Sequence, residues 1–170
     1  MGRKLASRTL VFVAALSVAG CLRPMYGGAG GQQLRATLTA IHIEPIPARL
    51  GHYLASELRF ALNGSGSEVE PKYRLHIAVN QKLQTPLIDT ISGQATSGTV
   101  VIDARYRLVP VGAKDPVTQG VAFTTVSYDR SSQRFANLRA QRDAEIRASK
   151  TLAEQIHVRL ASYLASHPSR

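Results

Sequence analysis

Val100-Val101-Ile102-Asp103-Ala104-Arg105-Tyr106-Arg107-Leu108-Val109 alternates at every step. In an extended chain Val100, Ile102, Ala104, Tyr106 and Leu108 point one way, and Val101, Asp103, Arg105, Arg107 and Val109 point the other. Successive side chains of a strand face opposite sides, so this stretch reads as a half-buried antiparallel strand with one charged face. Downstream, Pro110-Val111-Gly112-Ala113-Lys114-Asp115-Pro116 makes a turn into a further strand, about Thr118 to Tyr128. Upstream, a loop rich in Thr, Ser, Gly and Pro covers about 84 to 97. Before it Tyr73-Arg74-Leu75-His76-Ile77-Ala78-Val79-Asn80 is a strand whose odd positions are apolar. Thr37-Leu38-Thr39-Ala40-Ile41-His42-Ile43, bounded by Pro45 and Pro47, also alternates and reads as the first strand.

Two segments carry the other period. Leu50, Leu54, Leu58 and Leu62 lie four apart, with Tyr53 and Ala61 beside the stripe, and Asn63-Gly64-Ser65-Gly66 stops that helix. From Ser132 to about Ala165 a long amphipathic helix places Ala144, Ala148, Leu152, Ile156, Leu160 and Tyr163 on one broad face. Arg142, Glu145, Arg147, Lys150, Glu154 and Arg159 mostly fall elsewhere, and Pro168 marks the end. At 1.5 Å per residue this helix is about 50 Å long, against roughly 33 Å for a strand of about ten residues. One end overhangs the sheet, and the weakly apolar N-terminal turns are the part expected to do so.

The order is therefore β-α-β-β-β-α. Two helices do not cover both faces of four short alternating strands. The expected fold is α+β: a two-layer sandwich whose four-stranded, mostly antiparallel or mixed sheet carries both helices on one face. The Arg105/Arg107 face is left open, to be solvated or covered by a partner.

The N-terminus reads as an export signal. Arg3, Lys4 and Arg8 form a basic start, Leu10-Val11-Phe12-Val13-Ala14-Ala15-Leu16 an apolar core, and Ser17-Val18-Ala19-Gly20-Cys21 the processing region. The apolar run is shorter than the about 20 residues that span a bilayer. Val18-Ala19-Gly20-Cys21 matches the bacterial lipobox, in which the cysteine thiol takes a diacylglycerol and its amine a third acyl chain. Cys21 is the one cysteine in the chain, so no internal disulfide competes for it. Residues 1–20 are then the lipoprotein signal peptide, 21–35 the lipidated cysteine and a flexible tether built on Gly27-Gly28-Ala29-Gly30-Gly31, 36–166 one α+β domain and 167–170 a tail. One acyl chain anchors marginally, whereas two or three hold firmly. Leu22, not Asp, follows the cysteine; Asp there retains enterobacterial lipoproteins at the inner membrane, so the outer membrane is expected.

The chain carries +10, and removing Arg3, Lys4 and Arg8 leaves +7. That excess favours anionic partners. For an exported lipoprotein these are phosphorylated lipids, lipopolysaccharide and acidic envelope polymers rather than nucleic acid. Arg outnumbers Lys, which suits forked contacts to phosphate or carboxylate.

No catalytic pattern stands out. His42, His52, His76, His157 and His167 are scattered without H-E-x-x-H spacing. His42-Ile43-Glu44 puts two candidate ligands on one strand face, but one pair is not a metal site. Neither a G-x-S-x-G elbow, a P-loop nor a dinucleotide fingerprint occurs. No cofactor, no metal and no enzymatic activity are expected.

Cys21-Leu22-Arg23-Pro24-Met25-Tyr26-Gly27 resembles the C-G-F-x-P-L-Y-G start of lipopolysaccharide-assembly lipoproteins of the LptE family, notably from alphaproteobacteria. Arg49-Leu50-Gly51 entering the first helix, Tyr73-Arg74-Leu75 opening a strand, and Ser127-Tyr128 before the last helix resemble that family too. So does Asp143-Ala144-Glu145 with Ala148, Leu152-Ala153 and Ile156. The resemblance implies a subunit that plugs the large outer-membrane β-barrel LptD, assists its assembly and contacts lipopolysaccharide. It also implies basic ligand residues in the loop between the second and third strands and near the start of the last helix. Here Leu87-Ile88-Asp89-Thr90-Ile91-Ser92-Gly93-Gln94 has none, whereas the helix start has Arg130, Arg134 and Arg139, with Lys82 as a neighbour. Arg105 and Arg107 are expected to face the barrel partner. The alternative class is an accessory lipoprotein of an ABC-type envelope transport system for lipids or solutes.

Overall fold

Val100, Ile102, Ala104, Tyr106 and Leu108 are all buried, while Arg105 and Arg107 between them are exposed, as the alternation requires. The computed structural model describes residues 28–64, 69–84 and 96–167. In chain order these form α1 (Gly28–Thr39), β1 (Ile41–Ile43), α2 (Ala48–Asn63), β2 (Tyr73–Gln84), β3 (Ser97–Pro110), β4 (Thr118–Asp129) and α3 (Arg134–Ser166). The sheet order is β1-β2-β3-β4. β1 runs parallel to β2, and β2, β3 and β4 form an antiparallel meander. The α+β class and the mixed sheet agree with the sequence reading.

The described residues form three helices, not two, and the additional one packs on the other helices. Residues 28–35, expected as tether, and the first half of the expected strand 37–43 belong to α1. Gly31, Leu34 and Leu38 are buried at helical spacing, and the Thr37 and Thr39 hydroxyls donate to the carbonyls of Gln33 and Ala36. The alternation of 37–43 is equally compatible with a helix that buries Leu34 and Leu38 one turn apart. Packing of α1 against α2 and α3 selects that helix, and only Ile41–Ile43 remains extended. The signal peptide, Cys21 and the loop Leu87–Gln94 lie outside the described residues.

In α2, Leu50, Leu54, Leu58 and Leu62 are buried as the stripe demands, joined by Ala55 rather than by Tyr53 or Ala61. The helix stops where Gly64 turns to φ 61° and its N–H reaches the Phe60 carbonyl. α3 buries Ala144, Ala148, Leu152, Ile156 and Leu160, together with Glu145, Ser149 and Leu164. Its first buried residue is Ala144, so the turns from Arg134 to Asp143 project from the core as expected. The small Ala144, Ala148, Ala153 and Ala161 allow α3 to lie close to its neighbours, which brings its backbone near enough to contact α2 and β4 together.

Tyrosine–glycine pairs set the sheet's inner surface. Gly98 stands opposite Tyr128 and Gly120 opposite Tyr106. A Cβ at Gly98 would lie 2.6 Å from the Tyr128 ring, and one at Gly120 2.6 Å from the Tyr106 hydroxyl. Each ring lies over its glycine, filling the space that a side chain would otherwise need.

β4 is a sheet edge, but its outward backbone is engaged. Gln155 of α3 accepts from the Phe123 N–H at 3.3 Å and donates to the Phe123 carbonyl at 3.0 Å. Arg159 donates to the Val121 carbonyl, and Arg147 reaches the Ser127 carbonyl at 3.4 Å. Residues 147, 155 and 159 recur at multiples of four, so one stripe of α3 meets the edge at Ser127, Phe123 and Val121. Edge pairing with another strand is thereby hindered.

Candidate functional site

The basic residues singled out in the sequence fall into two groups. β2 ends at Gln84, β3 begins at Ser97, β4 ends at Asp129 and α3 begins at Arg134; the registers Gln84↔Thr99 and Ser97↔Asp129 bring these points together. Arg130, Arg134 and Arg139 therefore lie at one end of the domain, the tip; Lys82 is near that end of β2 but, at an even position, stands on the open face. Arg105 and Arg107 lie further along β3 on the open face. The structure groups the three arginines at the start of α3 and places Lys82 on the same sheet face as Arg105 and Arg107.

The tip is held by a short polar tie. Gln133, the N-cap of α3, makes no side-chain cap. Instead the Asn137 side chain accepts from the Ser131 N–H and donates to the Ser131 carbonyl, both at 2.8 Å, and the Ser131 hydroxyl accepts from the Gln133 N–H. The Arg130 N–H donates to the Thr96 carbonyl at 3.0 Å, holding the exit of β4 against β3. Arg134 and Arg139 project from the overhanging turns, and the Arg139 guanidinium lies 5.5 Å from the Phe135 ring centroid. Phe135 (70%), Leu138 (59%) and, on β2, Leu83 (51%) are exposed beside these charges. Cations next to exposed apolar side chains suit an amphiphile that carries both phosphate and hydrocarbon. Sequence reading foresaw the overhang but passed over Phe135 and Leu138, which those weakly apolar turns leave exposed.

On the open face, two cross-strand rows stand side by side: His76–Arg107–Gln119 and Ala78–Arg105–Val121. They line a hollow of about 750 Å³, walled on one side by Glu44 and Pro45. Glu44 lies 4.0 Å from Arg74, and Asp103, the nearby carboxylate of β3, accepts from the Asn80 amide at 3.0 Å. Among the described residues Arg105 and Arg107 have no hydrogen-bonding or ionic partner.

Behind the sheet, Glu145 is buried (side chain 3% exposed). Arg49 donates to both of its oxygens, Nε to Oε2 and Nη2 to Oε1, each at 3.0 Å. Gln81 and Gln141 donate to Oε1 at 3.2 and 3.3 Å. Arg142 adds a 2.7 Å bond from its Nε to the Tyr53 hydroxyl. This polar hub joins α2, β2 and α3 and positions the overhanging turns of α3. The sequence assigned Glu145 to the polar side of α3. Its place beside Ala144 and one turn before Ser149 was the signal that it borders the buried stripe.

His42, His52, His76, His157 and His167 stay dispersed, and no group of three or more potential metal ligands occurs among the described residues. No described helix is long and apolar enough to cross a membrane.

A helix-backed sheet with one open cationic face and an amphipathic tip defines a two-layer α+β sandwich with one face free for contact. The description "LptE: Lipopolysaccharide-assembly" matches residues 38–160, and the chain belongs to this family. It is thus a lipopolysaccharide-assembly lipoprotein by family. A crystallised putative lipoprotein from Caulobacter crescentus superposes with a TM-score of 0.65 at 25% identity, covering 79% of this chain and 97% of that one. A minor lipoprotein from Acinetobacter baumannii gives 0.57 at 16% identity, covering 72% and 90%. None of the curated proteins compared matches the chain.

Proposed function

We propose that this protein is the lipid-anchored, non-enzymatic subunit of the outer-membrane lipopolysaccharide translocon, seated in the lumen of an LptD-type β-barrel, with its tip touching lipopolysaccharide. The observation that supports the reading, beyond family membership, is the tip: Arg134 and Arg139 stand on the same projecting turns as the exposed Phe135 and Leu138, with Arg139 over the Phe135 ring. Lipopolysaccharide offers phosphates to the first and acyl chains to the second. The lumen wall of a transmembrane barrel is polar, which suits a domain that leaves a charged sheet face uncovered.

The two ends of the domain also divide the work. Gly30 and Leu34 of α1 lie beside Leu164 and His167 at the C-terminal end of α3, while the tip lies at its N-terminal end. An α-helix of 33 residues is about 50 Å long. Acyl chains on Cys21 would therefore tether the base, and the basic tip would reach about that far from the base.

Solubilising outer membranes in mild detergent and capturing the tagged full chain tests the reading: a large β-barrel is expected in stable association. Migration of the lipoprotein alone through gentle fractionation would sink it. Cys21→Ser is expected to leave an unprocessed precursor without palmitate, and normal processing of that variant would refute the lipobox assignment.

A further inference from the structure

We propose that the hollow on the open sheet face is the seat for carboxylate side chains on the inner wall of the partner barrel, and that this contact holds the two proteins together. The proposal rests on the translocon reading above and adds to it the surface and chemistry of attachment.

Arg105 and Arg107 are two residues apart on one strand face, about 7 Å along the chain. Two guanidiniums that close repel each other unless water or an anion lies between them. The carboxylates nearest in the fold are already engaged, Glu44 beside Arg74 and Asp103 with Asn80. The hollow thus presents two uncompensated forked donors, with His76 in the same row as Arg107. Its floor is low because Ala78 flanks Arg105, leaving depth for an incoming side chain.

A guanidinium fork accepts carboxylate and phosphate alike, and the surroundings decide between them. Val121 (49% exposed), in the Arg105 row, and Phe123 (56%), in the next row along β4, continue the same face. Unlike the projecting turns of the tip, this is a strand-built face, and arginines on it beside exposed aromatic and aliphatic side chains fit a protein–protein contact. Strand addition at β4 is hindered, since Gln155, Arg159 and Arg147 engage backbone groups of Val121, Phe123 and Ser127. The positive charge of the face selects an acidic stretch of wall.

The test uses the full chain co-expressed with the barrel protein of the same organism. Arg105→Glu/Arg107→Glu is compared with Lys114→Glu/Lys150→Glu, which removes equal charge from exposed positions elsewhere. Reversal on the face is expected to weaken the complex by about a hundredfold, as like charges at an interface do, while the control variant retains the barrel as wild type does. Binding of purified lipopolysaccharide by the face variant should stay at the wild-type level, and its thermal melt should be unchanged. Arg105→Gln/Arg107→Gln replaces the reversal if that variant misfolds. A photo-crosslinker at Val121 should capture a barrel strand with Asp or Glu beside the crosslinked residue. Full retention of the barrel by the face variant would overturn the proposal and leave the plug reading standing. Lipopolysaccharide binding lost with the barrel retained would overturn it in favour of a ligand site. A wild-type chain that captures no barrel would remove the translocon reading, and this proposal with it.

Discussion

Arg49 at the start of α2 and Glu145 in α3, 96 residues apart in sequence, form a two-point ion pair with both N–O distances at 3.0 Å. Arg49-Leu50-Gly51 and Asp143-Ala144-Glu145 are two of the stretches in which the chain resembles its family. The fold joins them at one carboxylate. Two glutamines complete the donor set, Gln81 from β2 and Gln141 from within α3, so the hub connects the sheet to both long helices.

Glu145→Ala is expected to destabilise the domain by about 2–3 kcal/mol, since it strands donors from three elements. Arg49→Ala should cost less, about 1–2 kcal/mol, because its side chain is 58% exposed and partly screened. For a chain of this size each kcal/mol lowers Tm by about 2–4 °C. Melting the two single variants and the double variant checks the coupling. Strictly additive losses would show that the pair contributes no energy of its own.

At the tip, Arg134→Glu/Arg139→Glu is expected to weaken lipopolysaccharide binding by at least about tenfold while the melt stays near wild type, because both side chains are themselves exposed. Binding measured on the isolated protein at two salt concentrations decides the matter. An unchanged affinity would remove these arginines from the ligand site.

The sealed edge of β4 predicts a solubility phenotype. Gln155→Ala/Arg159→Ala frees the Phe123 N–H and carbonyl and the Val121 carbonyl for pairing with another chain. Sedimentation velocity should show concentration-dependent association that is absent in wild type. A strictly monomeric variant would mean that the edge is protected by other means.

His157 supplies a pH dependence. Its half-buried imidazole is held below the ordinary pKa by desolvation, an effect partly offset by the nearby Glu154 carboxylate. The unfolded chain therefore takes up a proton as pH falls through about 6.5 before the native state does. Stability is full above that pH, declines as pH drops from it toward the lower native value, and has no further slope from this group beneath both. His157→Gln should flatten that part of the profile in denaturant titrations between pH 7 and 5. An unaltered slope would locate the dependence in another residue.

Much of this architecture was legible in the chain. The period of two in β3 and the period of four in α2 each report a local choice between facing the core and facing water, and such choices are written in neighbouring residues. The overhang of α3 was legible for the same reason, since Arg134 to Asp143 lack a continuous apolar stripe. The α1 helix was not. Residues 37–43 satisfy both periods, and only contact of Leu34 and Leu38 with the other helices settles which one forms.

The amino-acid order alone determined the sandwich, its open charged face and the basic start of the last helix. Tertiary structure alone decided that Glu145 is buried among donors from α2, β2 and α3, that β4 lends its edge to α3, and that Ala78 and Arg105 frame one hollow. Each of these depends on residues far apart in the chain, and distance in space between such residues is set by packing and strand register, which no local pattern encodes.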